Sequence, residues 1–514
     1  MKKRILIVNC YFDDARQPVR RRIKPLQAMG PVFLAGAFSP DRCDIRLYNE
    51  QYSGPLESEK LISFPDMLVL TGLNTAFDRM RHLAAYARTK NKRVIVVAGG
   101  PAIRALPIYS ARFFDYCCTG DVEQLKPVIE AEFGLDYVSD TLRENGWAIP
   151  RYDLAYWMKV CGYVESSRNC YFSCKFCSLT AENVPYRQYG MDFIRGQFKA
   201  VGRRNRILFI DNNFGGSNGR FLQERLEFLR QLKDAGHMGN WSAMASADFF
   251  SDENLEHARE SGCVALFSGV ESFDSRSIEN FGKNQNHRLP QMDMIKRCLN
   301  AGISFSYGLL LDVARRSVAD MRKEIELILD TPEIPLPSYI SVAIPMLKTP
   351  FFYECVTGRQ LLPHVKLRDL DGTTLTIKPF DSIEKVIQLT RELRNFSGYR
   401  RKTIRHVKNF YHLYKRQIGI LKIPFYLNGA AFLCFPNLFT AGPDVFRWSF
   451  KKSKRTFIGT TEPLDDAYNP AFRVDACYGD YFQPTFLTDA GGNINETLMP
   501  DLYQHSSPVM KRND

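Results

Sequence analysis

Ser167-Arg-Asn-Cys-Tyr-Phe-Ser-Cys-Lys-Phe-Cys-Ser178 places three cysteines, Cys170, Cys174 and Cys177, on one short stretch with the spacing C-x3-C-x2-C. Phe176 stands directly before the third of them. With 13 cysteines in 514 residues, about 0.01 such triplets are expected by chance. Three thiolates on one loop can each bind a different iron of a cubane cluster and leave the fourth iron without a protein ligand. That iron is then open to a small molecule. A zinc knuckle is the rival reading. Structural zinc wants four ligands, usually as two paired units. No second pair follows at a suitable spacing, and a strand-like stretch, Gly162 to Ser166, separates Cys161 from the triplet.

Around this loop, from Gly162 to about Leu347, apolar runs of strand length recur. They are 163–166, Arg206–Ile210, Trp241–Ser246, Val264–Ser268, Ile303–Leu311 and Tyr339–Ile344. Helical stretches fill the gaps, among them Phe221–Ala235 and Ser317–Asp330, the second opening on an N-cap serine and ending before Thr331-Pro332. Strand–helix units of this kind predict a partial (β/α)6 barrel, in which chemistry sits at the C-terminal ends of the strands. The cysteine loop follows the first strand, where that rule puts a reactive centre.

Upstream, residues 1 to about 135 alternate in the same way. Arg4–Asn9, Asp44–Tyr48, Met67–Thr71 and Arg93–Val97 read as buried strands, with helices over Pro31–Ala37 and Phe77–Thr89. This predicts a doubly wound, Rossmann-like parallel sheet. Its strand-end loops are small and polar: Thr71-Gly-Leu-Asn-Thr75, Ala98-Gly-Gly-Pro101 and Thr119-Gly-Asp-Val-Glu123. One Gly-Gly-Pro turn says little, but three such loops in register suggest a ligand lying across them. The expected organisation is a first domain over 1–140, a linker over 141–157, a barrel core over 158–385 and a mainly helical or irregular C-terminal region over 386–514.

The chain's net charge is +13, and the excess is concentrated in one segment of that last region. Between Arg391 and Arg455 stand fifteen Lys or Arg against Glu392 and Asp444, as much excess charge as the whole chain carries. Aromatics interleave with the cations (Tyr411, Tyr414, Lys415, Arg416), and an apolar run, Ile418–Ala441, is broken by Lys422, Pro424, Asn428 and Pro436. These interruptions argue against a membrane span. A helical cap over the barrel mouth and a surface-lying segment on anionic lipid both fit. No RNA-binding module accompanies the basic cluster, so no nucleic acid is expected. The start, Met-Lys-Lys-Arg-Ile-Leu-Ile-Val-Asn, reads as a strand rather than a leader, and the scattered cysteines as reduced thiols, which together suggest a cytoplasmic protein with an option of membrane association.

The cysteine segment resembles the cluster motif of the radical S-adenosylmethionine (radical SAM) superfamily. Further segments resemble the branch with an N-terminal cobalamin-binding domain: Ile207–Phe214, Phe267-Ser-Gly-Val-Glu-Ser272, Asn280-Phe-Gly-Lys-Asn-Gln-Asn286, Ala301-Gly-Ile303, Pro345-Met-Leu-Lys-Thr-Pro350, and the loops at Ala98–Pro101 and Thr119–Glu123. The resemblance covers roughly residues 4 to 355. It implies a [4Fe–4S] cluster on Cys170, Cys174 and Cys177, with SAM on the open iron and cleaved on reduction to a 5′-deoxyadenosyl radical. It places Phe176 near the adenine, Asp211, Asn212 and Asn213 near the SAM amino group, and Ser246 and Glu271 near ribose or carboxylate. A turn at 211–213 and a buried salt bridge at Glu271 are the bland alternatives. Cobalamin is implied at Thr71, Gly99, Gly100, Pro101, Thr119, Gly120 and Glu123.

The branch's Asp-x-His-x-x-Gly motif is absent here, and Asp78 with His82 has the wrong spacing. That rules out one mode of cobalt ligation, not the cofactor. The activity implied is methylation of an unactivated carbon of a small or lipid-like natural product, with flavodoxin or ferredoxin as electron donor. A non-methylating cyclisation or rearrangement, and a non-catalytic metal-binding protein on the same scaffold, stay open.

Overall fold

The computed structural model of the protein describes residues 2–11, 28–158, 161–372, 374–394, 401–402, 405, 408, 411–412, 474–503 and 509–511. Most of the basic segment 391–455, with its apolar run, lies outside the described residues. Among the described residues no helix is long and apolar enough to cross a membrane.

The first sheet holds β1 (Lys3–Asn9), β2 (Cys43–Asn49), β3 (Met67–Thr71), β4 (Ile95–Gly99) and β5 (Tyr116–Cys118), in the parallel order β5-β4-β3-β1-β2. The central strands are apolar on both faces because helices cover both: Ile5–Val8 and Met67–Leu70 are buried in unbroken runs. β2, at the edge, alternates buried and exposed positions, ending the doubly wound pattern with a half-solvated strand. Strand order reverses between β1 and β3, and the loops after β3, β4 and β5 share one end of the sheet.

The second sheet is also parallel, and each of its six strands lies beside the next in chain order. Its strands are β6 (Cys161–Val164), β9 (Arg204–Phe209), β10 (Met238–Met244), β11 (Cys263–Glu271), β12 (Ser304–Leu311) and β13 (Tyr339–Val342). β7 (Ser167–Arg168) and β8 (Arg187–Gln188) form a short antiparallel pair framing the cysteine loop. Six neighbours in sequence order make the expected open half-barrel. The outer helices lie as their periodicity predicts. Gly219–Asp234 turns Leu222, Leu226 and Leu229 inward, and Ser317 caps Val318–Asp330 by accepting the Asp320 amide at 3.1 Å. The stretch between the sheets, read from sequence as a linker, carries a helix at Asp140–Asn145 and buries Leu142 and Trp157.

Residues 474–503 strap the two units together. On one side Phe482 stacks on His82 with ring centroids 4.7 Å apart, and Thr485 donates to Asp78 from its amide (3.1 Å) and hydroxyl (2.7 Å). On the other, the Val365 amide donates to Thr488 at 2.9 Å and Tyr353 donates to the Leu502 carbonyl at 2.5 Å. Asp501 accepts the Ile108 and Tyr109 amides at 2.7 and 2.8 Å, and β14 (Val509–Lys511) adds antiparallel to β5. The first sheet is therefore completed by a strand from the far end of the chain. Asp78 and His82 serve this strap, in keeping with the absence of a cobalt-ligand motif there.

Asp78→Ala removes a buried acceptor shared by Thr485 and Arg81. Breaking a buried ion pair costs roughly 3–5 kcal/mol, so urea unfolding should show a loss of that order. A change under about 1 kcal/mol would mean that the strap contributes little.

Candidate active site

The base of the cysteine loop is built from buried polar groups. Asp211, just past β9, accepts from the Ser166 amide (3.0 Å), the Ser166 hydroxyl (2.6 Å) and the Ser167 hydroxyl (2.6 Å). Arg225, from the helix Gly219–Asp234, donates to Ser166 Oγ at 2.6 Å and to the Phe214 carbonyl at 2.5 Å, 3.8 Å from Asp211. Burial pushes the Asp211 carboxyl up, and Arg225 with the serine donors pulls it back. Asn169 then turns the chain in a left-handed conformation (φ 67°), a place where asparagine is tolerated, and its side chain accepts the Cys170 amide at 2.9 Å.

Cys174 is buried, whereas Cys170 and Cys177 are partly exposed. The loop is closed by the Cys177 amide donating to the Cys174 carbonyl at 3.1 Å. The Asn280–Asn286 turn packs against it. The Lys175 amide donates to the Phe281 carbonyl at 2.9 Å, and Gln285 Nε2 donates to Cys174 Sγ at 3.3 Å. Phe176 packs on Phe281, their centroids 5.2 Å apart. Cys161 opens β6 and so lies at the opposite end of that strand, facing Arg206 rather than the triplet.

The sequence-derived cofactor contacts fall into separate groups. Asp211 and Asn213 are fully buried, the first in the network just described, the second accepting the Ser246 amide at 3.2 Å. Asn212 is exposed and Ser246 partly so. Glu271 ends β11 at φ 59°, after a register shift, and its Oε1 lies 2.7 Å from Lys283 Nζ. Burial works against the Lys283 ammonium, and Glu271 overrides it.

Pair register exposes a feature that sequence reading missed. Phe267 pairs with Ser306, Gly269 with Gly308, and Gly308 with Tyr339, so these residues share one face. It is the face of the cysteine loop: a Cβ on Gly269 would meet Lys283 Nζ at 2.4 Å, and that ammonium lies 5.9 Å from the Phe176 ring. Tyr339 stacks on Phe267 with centroids 5.9 Å apart and remains 48% exposed, which leaves an aromatic ring accessible above a strand of small residues. A Cβ on Gly308 would meet the Tyr339 ring at 2.3 Å. The signal was present in Ser304-Phe-Ser-Tyr-Gly308, where small and large residues alternate.

At the strand ends of the first sheet lies a cavity of about 220 Å³. Thr71, Gly99, Gly100 and Gly120 line it, together with Gly30, Phe33, Cys118, Asp121 and Arg168. Gly100 (φ 111°) must be glycine: a Cβ there would lie 2.5 Å from the Gly72 carbonyl oxygen. Pro101 lines a neighbouring crevice with Arg104, Ser178 and Glu182, Thr119 uses its carbonyl to accept from Arg104 Nε (2.5 Å), and Glu123 pairs with Arg168 at 3.1 Å. Arg168 stands two residues before Cys170, so the cavity and the cysteine loop share a wall.

The structure superposes on two enzymes solved with a cobalamin bound. With OxsB, a cobalamin-dependent S-adenosylmethionine radical enzyme solved with aqua-cobalamin and S-adenosylmethionine bound, the TM-score is 0.55 at 14% identity, covering 84% of this chain and 75% of that one. With the radical S-adenosylmethionine methyltransferase TsrM from Kitasatospora setae, solved with cobalamin and a [4Fe-4S] cluster, it is 0.50 at 12% identity, covering 70% and 78%. The chain has the fold of the cobalamin-dependent radical SAM enzymes.

In sequence it is similar to a hopanoid C-2 methylase of Rhodopseudomonas palustris (strain TIE-1), 22% identical over 296 residues, which are 54% of this chain and 55% of the relative. It is also similar to an uncharacterised methyltransferase of Synechocystis sp. (strain ATCC 27184 / PCC 6803 / Kazusa), 24% identical over 319 residues, 58% of this chain and 57% of the relative. The chain spans about half the length of the curated relatives it matches. It matches no protein-family profile.

The radical SAM donor set fits the residues present. Among the described residues no three Cys, His, Asp or Glu side chains converge on a single ion; in a cubane each thiolate binds its own iron, so the sulfurs must surround a cluster rather than a point. Gln285 supplies an amide donor to one of those sulfurs. The glycine-floored cavity fits part of a cobalamin-type cofactor. Its volume is below the roughly 300–1,000 Å³ of sites that enclose a drug-sized ligand, so the rest of a macrocycle would lie outside it.

Burial pushes the Cys177 thiol up to about 11. The thiolate is the reactive form, so in the metal-free chain alkylation of Cys177, followed by peptide mass spectrometry, should be slow near neutral pH and rise as pH approaches about 11. Gly100→Ala should destabilise the chain by about 1–3 kcal/mol in urea, the scale of a residue forced into an unfavourable backbone region.

Proposed function

We propose that this chain is a cobalamin-dependent radical SAM enzyme, a C-methyltransferase acting on an unactivated carbon of a small or lipid-like molecule. The observation that carries the reading is the common wall: Arg168 lines the glycine-floored cavity and leads directly into the cysteine loop. A methyl carrier and a radical source must act on one substrate, so their sites must adjoin. When bound, the cluster supplies the electron that cleaves SAM, and the corrinoid carries the methyl group.

The chain's own residues bind, orient and exclude water. Cys170, Cys174 and Cys177 hold the cluster, and Gln285 directs an N–H at Cys174. Phe176 and the face bearing Phe267, Gly308 and Tyr339 offer apolar and aromatic surface for adenosine and substrate. Asn212 and Ser246, whose side chains are not enclosed, are available to polar groups of SAM; Asp211 and Asn213 support the loops that carry them. Thr71, Gly99, Gly100 and Gly120 receive the corrinoid, with Pro101, Thr119 and Glu123 shaping the adjoining loops. Transfer to a carbon radical needs no general acid or base, so no dyad is assigned in this reading.

Relatives support a small-molecule substrate of either polarity: TsrM has been solved with tryptophan, and a curated relative is named for hopanoids. The accessible Tyr339–Phe267 stack favours an apolar or planar group. An external electron donor and peripheral membrane contact through 391–455 belong to the same proposal.

Anaerobic reconstitution tests it. The wild-type chain should take up about four irons, retain a corrinoid through gel filtration and release 5′-deoxyadenosine from SAM on reduction. Cys174→Ala should lose the iron and the cleavage. Full iron loading and cleavage in that variant would overturn the radical SAM reading, and a wild-type chain that cleaves SAM but never takes up a corrinoid would replace methylation with a non-methylating rearrangement.

A further inference from the structure

The first-sheet unit grips the cysteine loop from both ends, through the loop Thr119–Glu123 on one flank and Arg104 on the other. Ahead of the cysteines, Arg168 Nη1 lies 3.2 Å from Asp121 and 3.1 Å from Glu123, and its other edge is held by Glu165 at 2.6 and 3.0 Å. Behind them, Glu182 ends the helix Ser178–Glu182 that follows Cys177, and it pairs with Arg104. Arg104 in turn donates to Asp121 at 3.2 Å and to the Thr119 carbonyl at 2.5 Å. The chain of contacts Glu182–Arg104–Asp121–Arg168–Glu165 thus passes through the sheet's loop and closes on both flanks of the triplet. Asp121 is its centre, the one carboxylate that touches both arginines.

A structural alternative is an anion site, since two arginines meet beside a cavity. The charge count argues otherwise. Arg104 and Arg168 face Asp121, Glu123, Glu165 and Glu182, four carboxylates to two guanidinium groups, so the arginines are already oversubscribed and a further anion would be repelled. Every arginine edge here is aimed at protein. Such a chain of charges, only partly open to solvent, is also more geometrically demanding than isolated surface pairs.

We propose that Asp121, Arg104 and Arg168 are positioning residues, a clamp that sets the distance and angle between the glycine-floored cavity and the cysteine loop. Asp121 holds Arg168 of the barrel unit directly and steadies Arg104, which holds Glu182, so neither flank of the triplet can shift against the sheet without breaking a charged contact. The consequence for turnover rests on the assignment of these two places to a corrinoid and a cluster; the mechanical coupling does not.

Two measurements separate these parts. In the metal-free full-length chain, Asp121→Asn should speed amide hydrogen exchange across 170–182 by roughly ten- to a hundredfold, as expected for loss of a charged hydrogen bond. Asp140→Asn, which alters an exposed pair with Arg143, should leave that segment unchanged. Unchanged exchange over 170–182 in Asp121→Asn would overturn the clamp whatever cofactors the protein binds. If Asp121→Asn does not yield folded protein, Glu182→Gln provides the reciprocal readout: faster exchange over 119–124 supports the clamp, and unaltered exchange overturns it.

In reconstituted protein, the magnetic dipolar coupling between cob(II)alamin and the reduced cluster reports their separation. Wild type should give a narrow distance distribution and Asp121→Asn a broader one at equal iron and corrinoid content. Equal widths would overturn the positioning role. A wild-type chain that binds no corrinoid would instead sink the cofactor assignment while leaving the exchange result standing.

Discussion

Asp211 is the constraint on which the site depends. It has no exposure, and three donors from Ser166 and Ser167 converge on its carboxylate, with Arg225 behind them. A buried charge without partners would be costly, and a buried charge with all partners in place fixes geometry sharply. Here the partners are the last residues before the cysteine loop. The network therefore ties the exit of β6 to the exit of β9 and determines where Arg168, Asn169 and Cys170 begin. Arg225 adds cation–π contacts as well, its guanidinium lying 4.3 Å from the Phe214 ring and 4.5 Å from that of Phe221.

The opposite side of the loop is set by a different pair. Glu271 sits at positive φ, which a non-glycine residue holds at a cost of about 1–3 kcal/mol. The ion pair with Lys283 compensates, and it brings Gln285 in the same turn to Cys174. A strained strand end thus carries a turn to the sulfur, so the Gly-Val-Glu-Ser and Gly-Lys-Asn-Gln segments belong to one device although a helix separates them.

What was legible in the sequence follows from how local each signal is. The strands of both sheets announce themselves as short apolar runs: Met67–Thr71 agrees with the observed strand at both ends, and Arg4–Asn9 differs by one residue. Ser317 as a cap and the cysteine spacing depend on neighbours three or four residues away. The roles of Asp211 and Glu271 do not. An aspartate after a strand reads the same whether it faces a ligand or a pair of serines some 45 residues earlier, and only the fold decides. Arg168 was passed over for a similar reason: beside three cysteines an arginine carries no pattern, and its partners Asp121 and Glu123 arrive from another sheet. The strap 474–503, rich in Asn, Asp and Gly, showed no period at all, because it binds by individual hydrogen bonds and rings rather than by one apolar face.

That strap has a bearing on how the protein comes to be made. Ile108 and Asp501 are bonded although 393 residues apart, and β14 covers the edge of β5 from an equally distant position. On the ribosome, the nascent first sheet must wait with an uncovered strand edge while the entire barrel is synthesised. A bare edge of that kind invites pairing with neighbouring chains. Yield in a heterologous host should therefore depend on translation speed and on chaperones that shield β5, and a fragment ending before residue 474 would retain that uncovered edge.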